Sequence, residues 1–207
     1  MVAKAKRRWC AQLLGAVLAA AALWLLYAAI RPVDEVHLTI GEPYEQVRER
    51  SGSVLQPLVP GKVWMGVVRR PARLCFADPQ YGFTTPPAKF LTVGYDNHGN
   101  VDVIRMSPQV KTLPLNETME IVTDLQNQLL RGGWTRFRVV DDPPIENTPS
   151  VKVRIRRCEA PTEFWEAGSK FQLMLDVRCF RTDENPDDER YLISISLSTP
   201  WVSDDAR

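Results

Sequence analysis

The chain opens on one long apolar run and ends in segments where apolar and polar residues alternate. Residues 13–30, LLGAVLAAAALWLLYAAI, carry no charged or strongly polar side chain, and extension back to Trp9 admits only Gln12 and Cys10. About 20 apolar residues suffice for a helix to cross a hydrocarbon core, so the pattern predicts a transmembrane segment over 9–30. KAKRR precedes it and Arg31-Pro32 closes it. The excess of basic residues on the N-terminal side places residues 1–8 in the cytoplasm and the rest outside. The expectation is a single-pass signal-anchor in a bacterial inner membrane, with the C-terminal domain in the periplasm. A cleaved secretory signal competes with it, Ala20 and Ala22 serving as the small residues of a cleavage point.

Residues 31–40 read as a lead-out and 41–207 as an exported domain, with possible halves 41–110 and 111–207. GEPYEQVRERSG predicts a short helix, with Pro43 suited to its first turn and Gly52 to its stop. Strands are expected over 62–70 and 74–76, with a Pro/Gly-rich loop over 77–88. KFLTVGY and VDVIRM flank DNHGN, a hairpin signal. NETMEIVTDLQNQLLRGG is the clearest helix: Ile121, Val122, Leu125 and Leu129 recur at helical spacing, Asn116 suits the N-cap and Gly132-Gly133 the stop. A strand is expected over 134–140.

Three later segments alternate with period two: Val151, Val153, Ile155; then Phe171, Leu173, Leu175, Val177, Cys179; then Tyr191, Ile193, Ile195, Leu197. Such alternation predicts antiparallel strands with one solvated face. The fold class that follows is α+β: a transmembrane helix, then a compact domain of two main helices packed on antiparallel sheet.

Two stretches resemble a known family. IGEPYEQVRERSG (40–52) and LTVGYDNHGNVDVI (91–104) resemble the helix and hairpin of the SmpA/OmlA (BamE-like) small envelope lipoproteins, which assist outer-membrane assembly. The likeness spans residues 40–104 and implies that fold for the first half. No Cys follows the apolar run where a lipidated one would stand.

Composition excludes several classes. With 207 residues, 44% hydrophobic and 25% charged, the chain can bury a core of its own. Lys4, Lys6, Arg7, Arg8 and Arg31 precede the first acid, leaving 21 bases against 25 acids beyond them, a net of −4. Polyphosphate attraction needs a concentrated positive surface, so no nucleic-acid partner is expected.

No catalytic, metal or cofactor motif stands in the sequence. Neither Cys-x-x-Cys nor His-Glu-x-x-His spacing occurs, and nucleophile elbows and phosphate loops are absent. His98 beside Asp96 offers an acid–base pair or a solvated turn. Cys158 and Cys179 are placed to bridge two strands in an oxidising space, or to remain buried thiols. Asp183, Glu184, Asp187, Asp188 and Glu189 form a dense acidic segment, readable as a solvated turn or as a docking surface for a basic partner. Arg154, Arg156 and Arg157 are close enough in pattern to pair with it.

The function expected is that of a non-enzymatic, membrane-anchored periplasmic binding protein with protein partners, such as a toxin-neutralising immunity protein. An accessory factor of envelope assembly is the alternative. Residues 33–207 should show no micromolar, salt-sensitive affinity for an oligonucleotide in a fluorescence titration.

Overall fold

The computed structural model describes residues 17–24, 27, 31–52, 55–137, 139, 144–182 and 185–202. It forms two units, Met1–Val33 and Asp34–Arg207. In the first, residues 17–24 are helical and Val17, Leu18, Leu23 and Trp24 are exposed. The expected membrane span is corrected here: among the described residues no helix is long and apolar enough to cross a membrane. Apart from Tyr27, the remainder of 9–30 lies outside the described residues, as does the basic segment 1–8. The signal-anchor, and the inner-membrane and periplasmic placement derived from it, are therefore left without a spanning helix among the described residues.

The second unit is mixed α+β. Its strands are β1 (Asp34–Leu38), β2 (Trp64–Val67), β3 (Ala72–Phe76), β4 (Phe83–Thr84), β5 (Phe90–Tyr95), β6 (Val101–Ser107), β7 (Thr135–Phe137), β8 (Thr162–Ala167), β9 (Phe171–Thr182) and β10 (Asn185–Ser198). Its helices are α1 (Tyr44–Arg50), α2 (Leu115–Arg131) and α3 (Pro149–Arg156). Seven strands make one antiparallel sheet in the order β2-β5-β6-β10-β9-β8-β7. The other three make a small sheet, β1-β3-β4, in which β1 and β3 run parallel.

Alternation explains the large sheet. Leu91 and Val93 of β5, Ile104 and Met106 of β6, Ile193, Ile195 and Leu197 of β10, and Leu173, Leu175 and Val177 of β9 share the buried face. The intervening Ser194, Ser196, Arg105 and Arg178 take the other face. Helix α2 covers the core with Met119, Val122, Leu125 and Leu129 and packs on β10 and β4. Its end is set by Gly133 at φ +82°: Gly133 N–H donates to Leu130 O and Trp134 N–H to Leu129 O, closing a Schellman turn. Trp134 then meets Phe76, Phe83, Tyr81 and Phe171 at ring separations of 5.8–6.4 Å. This aromatic cluster joins the two sheets.

A second internal tie is polar. Glu163 of β8 is 2% exposed, and its carboxylate accepts hydrogen bonds from Trp165 Nε1 (2.8 Å), Gln126 Nε2 (2.9 Å) and the Ile145 amide (3.0 Å). Arg136 pairs with it at 3.4 Å and lies over the Trp165 ring. A buried carboxylate is tolerable only when so fully partnered.

Several expectations need correction. The lead-out contains β1, whose Val36 and Leu38 are buried, and the 77–88 loop contains β4. The segment with Val151, Val153 and Ile155 is helix α3, not a strand. Thr148 accepts from the Val151 amide as N-cap and Pro149 occupies the first turn. Val151 and Ile155, four apart, are buried while Val153 between them is exposed. Pro114, not Asn116, occupies the N-cap position of α2, with no side-chain cap, and Asn116 Oδ1 accepts from Lys152 Nζ instead.

Because Ile193 is fully buried in the middle of the sheet, Ile193→Ala should lower unfolding free energy by about 2–5 kcal/mol. Ser194→Ala, on the opposite face, should change it by less than about 0.5 kcal/mol. Urea unfolding followed by circular dichroism measures both.

Candidate functional site

Strands β9 and β10 outlast their neighbours. β8 stays paired to β9 only from Phe171 to Asp176, and β6 to β10 only from Ile195 to Ser198. The two strands pair with each other out to Arg190 opposite Phe180, then through an irregularity to Asn185 opposite Thr182. The result is a two-stranded arm that extends beyond the sheet.

The arm is braced on two sides. On one, Gln109 acts in place of a missing strand: its Nε2 donates to Tyr191 O (3.0 Å) and Lys111 O (2.7 Å), and its Oε1 accepts from the Ile193 amide (2.9 Å). Leu113 and Tyr191 exchange both backbone bonds beside it. On the other, Cys158 and Cys179 form a disulfide with Cα atoms 5.2 Å apart, fastening the end of α3 to β9. Cys158 follows a helix rather than ending a strand, and it takes φ 61°, an uncommon geometry for a residue with a Cβ. Arg156 adds an ion pair to Glu189 at 3.4 Å.

The acidic segment differs from expectation. Asp183 and Glu184 lie outside the described residues. Asp187, Asp188 and Glu189 belong to β10 rather than to a loop. Asp188 accepts from Arg190 Nε, and Glu189 accepts from Tyr191 Oη (3.1 Å) besides pairing with Arg156. Both are half-buried and neutralised within the chain. They are not the free, protruding acids the sequence suggested.

What the arm does expose is apolar and basic. Between its outer face and the 107–112 loop runs a groove of about 440 Å³ lined by Phe90, Val110, Phe180 and Leu192, with Lys89 and Lys111 at its rim. Phe90, Phe180 and Val110 are 53%, 52% and 48% exposed. Phe90 also borders a second hollow of about 330 Å³ along Arg105, Met174, Asp176, Arg178, Ser194 and Ser196. Asp176 is buried there beneath Arg178, which donates to it through Nε (2.8 Å) and a terminal nitrogen (3.3 Å). Those hydrogen bonds, with the attraction of the carboxylate, raise the Arg178 pKa and keep it charged. Lys89, Lys111 and Arg105 have no carboxylate partner among the described residues.

A different group of side chains gathers on the small sheet. Glu35 and His37 alternate along β1, so they share a face, and the parallel register sets His37 opposite Cys75. Their ligand atoms all lie within 4.8 Å of one another. No linear motif reveals this, since the third member is 38 residues from His37; the signal available was Glu-x-His on one face of a strand. His98, by contrast, sits in a turn built by Asp96, which accepts from the His98 and Asn100 amides (2.9 and 2.8 Å). The Asn100 amide first, then that of His98, hold the Asp96 carboxyl below its ordinary range. Asp96 therefore has a structural task, and its bond to His98 is to the backbone. Of the tryptophans, Trp134 and Trp165 are buried, and Trp201 is exposed while its amide donates to Gln172 Oε1.

Comparison with known proteins finds no matching family model, no matching curated protein and no matching solved structure.

Removing the disulfide should free one flank of the arm. A Cys158→Ser/Cys179→Ser variant is expected to lose about 2–4 kcal/mol of stability. Amide exchange should accelerate over residues 177–182 and 190–194, with β5 and β6 unchanged relative to the global stability.

Proposed function

We propose that this chain is a non-enzymatic binding protein that grips a short apolar and acidic segment of a partner protein in the groove beside the arm. One observation carries the reading: Phe90 and Phe180 on the sheet face and Val110 on the adjoining loop lie exposed together, with Lys89 and Lys111 at the groove's rim and Arg105 in the adjacent hollow, none of the three with a carboxylate partner among the described residues. Patches of that kind mark recognition surfaces.

Magnitudes favour it. Full burial of a side chain such as Phe or Val is worth about 1.5–3 kcal/mol, and since Phe90, Phe180 and Val110 are about half exposed, covering them supplies roughly 2–4 kcal/mol in all before any polar contact. Gln109 and the disulfide hold the groove in shape, which reduces the ordering cost of association. Lys89, Lys111 and Arg105 then steer and select a negatively charged segment. The sign is opposite to that of the basic partner expected from the acidic segment, of which Asp188 and Glu189 are paired within the chain. Occlusion of a toxin, the immunity-type role, requires no more than such a surface.

Peptides selected by display against the full chain should be enriched in Asp or Glu next to Leu, Ile or Phe. Phe180→Ser should weaken the selected peptides by about 10–100-fold, and Lys89→Glu/Lys111→Glu should remove the salt dependence of their association rate. Enrichment of basic peptides, or unchanged affinity for Phe180→Ser, would refute the proposal.

A further inference from the structure

We infer that Glu35, His37 and Cys75 form a binding site for one divalent zinc ion, leaving a coordination position open to solvent or to a partner's ligand. This site is separate from the groove and does not depend on that reading.

The donor set is the first argument. A carboxylate, an imidazole and a thiol are the three side-chain ligands that zinc takes in tetrahedral sites, and three protein ligands with one open position is the arrangement of its accessible sites. The second argument is placement. All three side chains project from one face of two hydrogen-bonded strands, half-buried, and the strands fix their spacing. The ligand atoms, within 4.8 Å of one another, need only side-chain rotation to converge on an ion about 2.0–2.3 Å from each.

Surrounding groups suit the role. His37 Nε2 contacts Glu35 Oε2 at 2.9 Å, and the His37 amide donates to Ser51 Oγ at 3.1 Å, which anchors the strand beneath it. Arg73 lies 3.8 Å from Glu35 Oε1 and is a cation that an arriving ion must displace or share with. Cys75 is shielded by burial and by the Glu35 charge, which together raise its thiol pKa, while a hydrogen bond with Thr84 opposes them. Left alone, then, the thiol is not primed as a nucleophile. A bound dication changes the balance, because a coordinating thiol gives up its proton. Among the described residues Cys75 has no disulfide partner.

The test uses the full chain with its disulfide intact, and Co²⁺ as a spectroscopic substitute for zinc. One equivalent of Co²⁺ should produce a thiolate-to-cobalt charge-transfer band and strong visible absorption of tetrahedral cobalt, both erased by Zn²⁺. The band should vanish in Cys75→Ser, persist in Cys10→Ser, and require at least about tenfold more metal in His37→Ala and Glu35→Gln. Wild-type protein gives a measurement free of folding effects: Zn²⁺ should slow alkylation of Cys75, mapped by mass spectrometry, at least about tenfold, and a chelator should restore it. Absence of the band in wild type, its dependence on Cys10 instead, or alkylation of Cys75 at the same rate with and without Zn²⁺ would overturn the inference.

Discussion

The last of the ten described strands is the middle strand of its sheet. β10 supplies the seam between the meander β2-β5-β6 and the meander β7-β8-β9, and every backbone bond joining those two groups within the sheet passes through it. Its inward side chains, Ile193, Ile195 and Leu197, lie beside the apolar row of β9, and Ile195 and Leu197 also beside that of β6, while α2 packs on the strand. The arm is simply the part of β10 and β9 for which no neighbouring strand remains. The groove exists because β6 turns away at Ser107 and leaves Gln109 to satisfy the backbone it abandons. Architecture and groove thus share one cause.

Two kinds of pattern in the sequence translated directly into structure. Long alternation, five members in β9 and four in β10, is hard to produce except by a sheet with one buried face. The α2 pattern was equally plain because its apolar spacing and its two terminal glycines agree. Short patterns misled. Val151, Val153 and Ile155 alternate only three times, and the same residues place Val151 and Ile155 on one face of a helix; the Thr148-Pro149 cap decided between them. β8 gave no alternation, since Phe164 and Trp165 are adjacent and both covered. β1 looked like a tether because its pairing partner, β3, is far along the chain.

The sites were less legible than the fold, for a physical reason. Charge in a sequence carries no record of its partners. Asp188 and Glu189 read as a free acidic surface until Arg190 and Arg156 are placed beside them. The exposed Phe90 and Phe180 read as ordinary strand residues until the outward parity of their positions is known. Glu35, His37 and Cys75 needed a parallel crossover to meet, and parallel pairing is the hardest relation to infer from local pattern.

The central position of β10 has a consequence for the chain as it is made. Leu197 is synthesised roughly 90 residues after Ile104, its partner in β6, an interval of about 5–20 s on a ribosome adding 5–20 residues per second. Through that time the nascent first half presents an apolar sheet with an open edge at β6, the form most ready to pair with a neighbouring copy on the same message. Nearby copies on one message therefore raise the chance of pairing through the β6 edge before β10 arrives to close it.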